Sequence, residues 1–483
     1  MSLDLLLINP YSPNANPMIP LGLASLAAVA QEAGYSVQVV DAWAEELGDA
    51  RRLSAELRKR PTPLVTGISI LTPNLRFARE AVRSVREVFP ETLLVIGGPH
   101  VSALPTEVLT EFSDADLGVY GEGEITLLEL LDVSVKSGIK PEGLPGTIWR
   151  NAKNKMTVKA IPRDPINDLD TLPQPARDLF PLERYHPHPP YGRRWRYMNV
   201  ITSRGCPFHC AYCSKSVFGN LFRAFSPARV VADIAELVKV YQVREIHFYD
   251  DDLTLHRKRT VEIMELLIAA DLDLIWSCTT RCDLVDAELL MLMKRAGCWM
   301  ISYGVETGND ALRNTVDKGV SREQIEVAFR NTKHAGIKVT GYFMIGLPGE
   351  TEDTVKETIQ FVEFLAPDYV NWSVMTVYPG SQFYFDIQSG KYGSGQLVKN
   401  EGRELQQSSP FQDDLLYGFA GVLPRQRMEE LSRLAIRNFY LRPRNLFRIM
   451  MDISSWRQLR YTLQTAWNML RWLVVKMPVP LKK

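Results

Sequence analysis

The sequence predicts an α/β protein in three parts. A Rossmann- or flavodoxin-like sheet comes first, then a partial (β/α)6 barrel of TIM type, then a mainly helical C-terminal tail. Three observations predict it. Short apolar and β-branched runs alternate with helical stretches as far as about Leu131, the mark of a parallel sheet with crossover helices. A second series of six such units runs from Asn199 to about Ser381. A chain of 483 residues also exceeds what one hydrophobic core usually serves.

The elements follow in order. Leu3–Ile8 is a continuous apolar run that suits a buried strand. Pro20 opens a helix that Gly34 closes, since proline fits a first turn and glycine a left-handed end. Val37–Val40, Leu64–Ile70 and Leu93–Ile96 are the next strands, with a helix over Leu75–Val88 between the last two. Leu117–Tyr120 is a fifth strand, followed by Gly121-Glu122-Gly123-Glu124 and a helix. Such sheets bind ligands outside the carboxyl ends of their strands. Prolines then crowd the stretch from about Val135 to Tyr197, which breaks helices and reads as a connector draped over the domains.

The second series places strands at Asn199–Ser203, Glu245–Tyr249, Leu274–Cys278, Trp299–Gly304, Val339–Met344 and Tyr369–Met375. Amphipathic helices such as Ala228–Tyr241 and Arg322–Ala335 separate them. A barrel of this kind carries its site at the carboxyl ends of its strands. The expected division is 1–135, connector 136–198, barrel 199–385 and helical region 386–483.

Charge is balanced, with 56 basic and 56 acidic residues, so nothing electrostatic points to a nucleic-acid partner. Three of the six cysteines fall within Cys206–Cys213, which is unlike a disulfide framework. With no leader pattern at Met1–Pro10, the chain reads as reduced, cytoplasmic and metal-binding. No window spans a bilayer, which needs roughly 20 apolar residues. The tail from Trp456 joins Trp467, Trp472 and Leu473 to Arg457, Arg460 and Arg471. That mixture suits peripheral contact with a membrane surface, and equally a helix packed on the barrel.

The cysteines stand in Arg204-Gly205-Cys206-Pro207-Phe208-His209-Cys210-Ala211-Tyr212-Cys213, just after a barrel strand. Three thiolates on a short loop can wrap one iron–sulfur cluster. On a four-iron cluster they leave one iron open, as a reactive centre needs. A zinc site with His209 as fourth ligand is the alternative, but its place between the cysteines makes tetrahedral closure awkward. Cys278, Cys282 and Cys298 are irregularly spaced near apolar strand ends and read as inert buried thiols.

This motif resembles the radical S-adenosylmethionine (SAM) superfamily, and the resemblance covers about Asn199–Ser381. The aromatic before the third cysteine, Tyr212, would contact adenine. The second strand ends in Phe248-Tyr249-Asp250-Asp251-Asp252, where Asp250 or Asp251 would meet the SAM amino group. The third runs into Arg281, and the fourth ends Gly304-Val305-Glu306-Thr307-Gly308, with Glu306 as a further SAM contact. The fifth gives Gly341–Glu350, and the sixth Tyr378-Pro379-Gly380-Ser381. A carboxylate there suits an ammonium, and a guanidinium a carboxylate. The resemblance implies that Cys206, Cys210 and Cys213 hold a 4Fe–4S cluster. Fed one electron by a donor such as flavodoxin or ferredoxin, it would cleave SAM to a 5′-deoxyadenosyl radical.

The N-terminal region resembles the cobalamin-binding domain fused ahead of some radical SAM barrels. The resemblance rests on Asn9-Pro10, Pro20–Leu23, Ser69–Asn74 with Thr72, Gly97-Gly98-Pro99-His100 and Gly121-Glu122-Gly123-Glu124. It implies that Thr72, Gly97, Gly98, His100, Gly121 and Glu122 lie at the cofactor. No Asp-x-His-x-x-Gly segment is present, so cobalt would have no histidine ligand from the protein. A domain of this type that binds nothing is the plainer alternative.

Three functions are open at this point. The first is cobalamin-dependent methyl transfer to an unactivated carbon. The second is a radical cyclase or oxidoreductase acting on a tetrapyrrole- or lipid-like substrate. The third, a non-catalytic iron–sulfur module, sits badly with the ordered strand ends. In either enzymatic case the substrate is a small molecule, to which the apolar tail lends a greasy character.

Overall fold

In a computed structural model, the structure describes residues 3–12, 18–137, 141–151, 156–185, 187, 191–391, 397–399, 417–419 and 423–453, with 456, 459–460, 462–464 and 466–467 beyond. The first sheet takes β1 (Leu3–Asn9), β2 (Val37–Asp41), β3 (Pro63–Ser69), β4 (Leu93–Gly97) and β5 (Leu117–Val119). These five run parallel, and two more strands, β6 (Thr147–Arg150) and β7 (Thr157–Lys159), add antiparallel at the β5 edge. The strand order is β2-β1-β3-β4-β5-β6-β7. β1 is buried on both faces, as its unbroken apolar run requires.

Strands β6 and β7 correct one expectation. Both lie in the stretch read as connector, where the prolines hide them; the prolines flank these strands and interrupt neither. The rest of that stretch does cross between units. Leu169 and Leu172 pack on Val29, and the Tyr185 hydroxyl donates to buried Asp41 at 2.6 Å.

The second sheet holds β8 (Tyr197–Val200), then β11 (Glu245–Phe248), β12 (Ile275–Thr280), β13 (Cys298–Glu306), β14 (Lys338–Ile345) and β15 (Tyr369–Val374). Between β8 and β11 lies a small antiparallel ladder of β9 (Ser203–Arg204) and β10 (Arg223–Ala224). The six long strands are parallel in the order β8-β11-β12-β13-β14-β15, and β8 and β15 remain unpaired to each other, so the barrel is open. Chain chemistry sets the crossover helices. Ser226 accepts from the Arg229 amide and Pro227 takes the first turn of Pro227–Lys239, and Asp286 caps Ala287–Arg295 in the same way.

One apolar core is shared by the two sheets. Leu5, Leu7 and Leu130 of the first unit lie in the same buried cluster as Val230, Ile234 and Leu237 of Pro227–Lys239. The two units therefore meet face to face.

Candidate active site

The expected first barrel strand stops early. Asp250, at the end of β11, is buried and accepts from the Thr202 amide and hydroxyl and from the Ser203 hydroxyl. That pull breaks the strand after Val200 and starts β9. The chain then turns through Gly205 at φ +83°, where a Cβ would lie 2.2 Å from the Leu221 carbonyl oxygen. Only glycine lets the cysteine loop pass this close to backbone.

The loop is pinned at several points. The Cys206 amide donates to Gly219, the Ala211 amide to Val316 and the Cys213 amide to Cys210. Cys206 and Cys210 are half-buried and Cys213 exposed, all without a disulfide. Although the residue as a whole is exposed, loss of water around its sulfur, then the charge of Asp251 and of the other two cysteines, pushes the Cys213 thiol up to about 11. Burial pushes the Cys206 thiol up as well, and bound iron would stabilise both as thiolates. Among the described residues no three acidic, histidine or cysteine side chains converge on a single ion. A four-iron cluster spreads its ligands over several irons and does not ask for that convergence, so the residues fit it.

Around the loop the predicted residues separate into two groups. Tyr212 and Glu306 come together: the tyrosine hydroxyl donates to Glu306 Oε1 at 2.9 Å. Glu306 is buried in the left-handed region at φ +68°. Arg281 reaches the site as well, with Nη1 at 4.0 Å from Cys210 Sγ and its guanidinium 3.6 Å over the Phe208 ring. Asp251 is exposed at the loop, its charge felt by Cys206 and Cys213. Asp250 does not join them, because its oxygens are spent on Thr202 and Ser203.

Two residues at this site were not read from the sequence. Asp252 stands 3.9 Å from Cys206 Sγ and accepts from the Arg281 amide at 2.9 Å. Burial holds its carboxyl up at about 7. The alternation of side chains along the end of β11 was a usable signal that Asp250 and Asp252 differ from Asp251. Lys318 has no such signal. Its Nζ donates to Glu306 at 2.6 Å and to the Tyr212 hydroxyl at 3.1 Å, and its carbonyl accepts from Arg281 at 2.7 Å. Cys278, Cys282 and Cys298 are buried, and burial pushes Cys282 up to about 12, as inert thiols require.

A cavity of about 420 Å³ lies between the carboxyl ends of the first sheet and the barrel. Gly97, Gly98, Gly121 and Glu122 line it, opposite Val200 and Arg204 of the barrel. Gly98 has φ +99°, and a Cβ there would lie 2.9 Å from the Ile70 carbonyl oxygen. The turn therefore leaves bare backbone facing the cavity, which suits close approach of a large ligand. Thr72 and His100 are not brought to it. His100 is fully buried, its Nδ1 3.0 Å from the Thr72 hydroxyl and its Nε2 3.1 Å from Glu111. Both ring nitrogens are engaged, so it offers none to a cofactor. No histidine is among the described residues that line the cavity. The lining fits cobalamin.

Fold and site together define an α/β enzyme in which a three-cysteine loop at a barrel mouth faces a second ligand-binding sheet. Comparison with known proteins gives the family. The pattern of the radical SAM superfamily matches residues 200–362, and that of the B12 binding domain residues 14–131. The chain belongs to the radical SAM superfamily, among the members that carry a cobalamin-binding domain. An uncharacterized methyltransferase of Pyrococcus horikoshii, PH0819, is 31% identical over 431 residues, 89% of each chain. The anaerobic magnesium-protoporphyrin IX monomethyl ester cyclase of Rubrivivax gelatinosus is 31% identical over 376 residues, 76% of this chain and 66% of that one. Among solved structures, the cobalamin-dependent SAM radical enzyme OxsB with aqua-cobalamin and SAM bound shares the fold. Its TM-score is 0.74 at 16% identity, over 98% of this chain and 72% of that one. The protein is thus an enzyme of small molecules whose cofactors are a 4Fe–4S cluster, SAM and cobalamin.

Proposed function

We propose that the protein transfers a methyl group to an unactivated carbon of a small, largely apolar molecule. The observation that carries this is the cavity between the strand ends of the first sheet and the first strand and helix of the barrel. It supports a reaction in which cobalamin lies across from the cysteine loop, with the substrate between. The methyltransferase relative along nearly the whole chain points the same way.

Cys206, Cys210 and Cys213 hold the cluster in this reading, and their number leaves one iron for SAM. When bound, the cluster and SAM supply a radical able to take hydrogen from carbon, and cobalamin supplies the methyl group. The chain's own residues position and shield. Tyr212 presents its ring to adenine while its hydroxyl is fixed by Glu306 and Lys318. Arg281, clamped by Phe208, Asp283 and the Lys318 carbonyl, holds positive charge beside Cys210 for a carboxylate. Asp251 is the exposed carboxylate left for an ammonium, and Asp250 shapes the loop from beneath. Gly97, Gly98, Gly121 and Glu122 border the cobalamin.

The reductant is a small one-electron donor such as flavodoxin or ferredoxin. The compartment is the cytoplasm, with peripheral membrane contact. Exposed Phe447, Met450 and Met451 on the helix Pro443–Met451, beside exposed Trp456, support that contact. Trp472 and Leu473 lie outside the described residues. No helix among the described residues is long and apolar enough to cross a membrane.

The test uses reduced, cobalamin-loaded protein with methyl-labelled SAM and cell extract. Label entering a product is the expected result. 5′-Deoxyadenosine without label in any product would replace methyl transfer with cyclisation or oxidation.

A further inference from the structure

The two motifs that flank the domain junction are one object in space. Gly121-Glu122-Gly123-Glu124 follows β5 of the first sheet, and Arg204 immediately precedes the cysteine loop. Arg204 Nη1 lies 3.1 Å from Glu122 Oε2 and its Nη2 2.5 Å from Glu124 Oε1. Arg223, which pairs with Arg204 across the β9–β10 ladder, bonds Glu122 from the other side. All four side chains are between 4% and 8% exposed. Glu122 also accepts from the Ile166 amide, and Arg223 donates to the Ile166 carbonyl, so the connector is tied into the same knot.

Two cations and two anions removed from water cost heavily unless their geometry is fixed in advance. Here the first unit brings the anions and the barrel the cations. The network therefore holds only when both are in one register. Glu122, Glu124, Arg204 and Phe218, the ring beneath the Arg204 guanidinium, also line the cavity. One residue beyond Arg204 the backbone enters Gly205 and then Cys206. A ligand in the cavity thus rests on the side chains that anchor the first cysteine.

We propose that Arg204 is a positioning residue that couples the cobalamin cavity to the iron–sulfur loop. A filled cavity holds Glu122 and Glu124 against Arg204, and Arg204 holds the cysteine loop in the form that receives SAM. By linkage, SAM on the cluster tightens cobalamin by the same factor. This holds whether the reaction ends in methyl transfer or in oxidation, since it concerns binding alone.

The test is on full-length, anaerobically reconstituted protein. Hydroxocobalamin affinity is read from its visible spectrum with and without SAM. SAM affinity is read from the electron paramagnetic resonance of the reduced cluster, with and without cobalamin. In the unaltered protein each ligand is expected to tighten the other fivefold or more. In Arg204→Lys and Glu124→Gln that factor falls to near one. If either variant loses its cluster on purification, the double variant Arg204→Gln/Glu124→Gln removes opposite charges together and is measured in its place. A factor of one in the unaltered protein overturns the proposal. So does a variant that binds cobalamin weakly yet keeps the full factor, for then these residues only line the cavity.

Discussion

At the residue scale the site is a set of charges made tolerable by pairing. Lys318 is its hub, since it meets Glu306, Tyr212 and Arg281 at once. Lys318→Met strands Glu306 as a buried carboxylate, and breaking such a pair costs about 3–5 kcal/mol of stability. We expect a lower melting temperature and at least tenfold weaker SAM binding by calorimetry, with Lys318→Arg recovering part of the affinity. Unchanged SAM affinity in Lys318→Met would remove the residue from the site. Glu245, at the start of β11, carries a pH term. Burial raises its carboxyl to about 7, although the Gly192 and Arg194 amides donate to it. The folded protein holds this proton more tightly than the unfolded chain, whose carboxyl titrates near 4.5. Stability from this group therefore falls as pH rises from about 4.5 to about 7, by about 3 kcal/mol, and is level above that. Denaturant midpoints should show the fall, and Glu245→Gln should flatten it. The three cysteines were legible in the sequence because their spacing is local. Lys318 was not, because its partners come from the cysteine loop and from β13, and no periodicity records such a meeting.

At the scale of elements, strand ends and turns place the chemistry. Gly205→Ala would drive a Cβ into the Leu221 carbonyl at 2.2 Å, which backbone cannot yield to cheaply. We expect iron bound per chain to fall well below that of the unaltered protein under identical reconstitution; full iron content would show that the turn has slack. Ser226→Ala removes the cap of the helix that closes the cavity, at a cost of about 1 kcal/mol, readable as a lower denaturant midpoint. The parallel strands were legible because each is an apolar run bounded by turn residues. β6 and β7 were not. They are four and three residues long, too short for alternation to show, and the prolines around them carry the stronger signal. The break after Val200 was equally hidden, since it comes from Asp250, far along the chain. The two cobalamin-side residues that miss the cavity, Thr72 and His100, illustrate the same limit. Their place near a strand end was readable, but not that they would bond to each other.

At the scale of the whole molecule, a mixed sheet and a parallel one share a core and border a common cavity, and Arg204 on its wall stands two residues before Cys206 of the three-thiol loop. Everything proposed for the reaction depends on those thiols binding three irons of a four-iron cluster and leaving the fourth for SAM. The most direct measurement is the resonance of the reduced cluster in anaerobically reconstituted protein, before and after SAM. A signal from a single 4Fe–4S cluster that shifts when SAM is added, and is lost in Cys206→Ala, Cys210→Ala and Cys213→Ala alike, is what the three-cysteine account predicts. A cluster that ignores SAM, or one that persists when all three cysteines are replaced together, would contradict it.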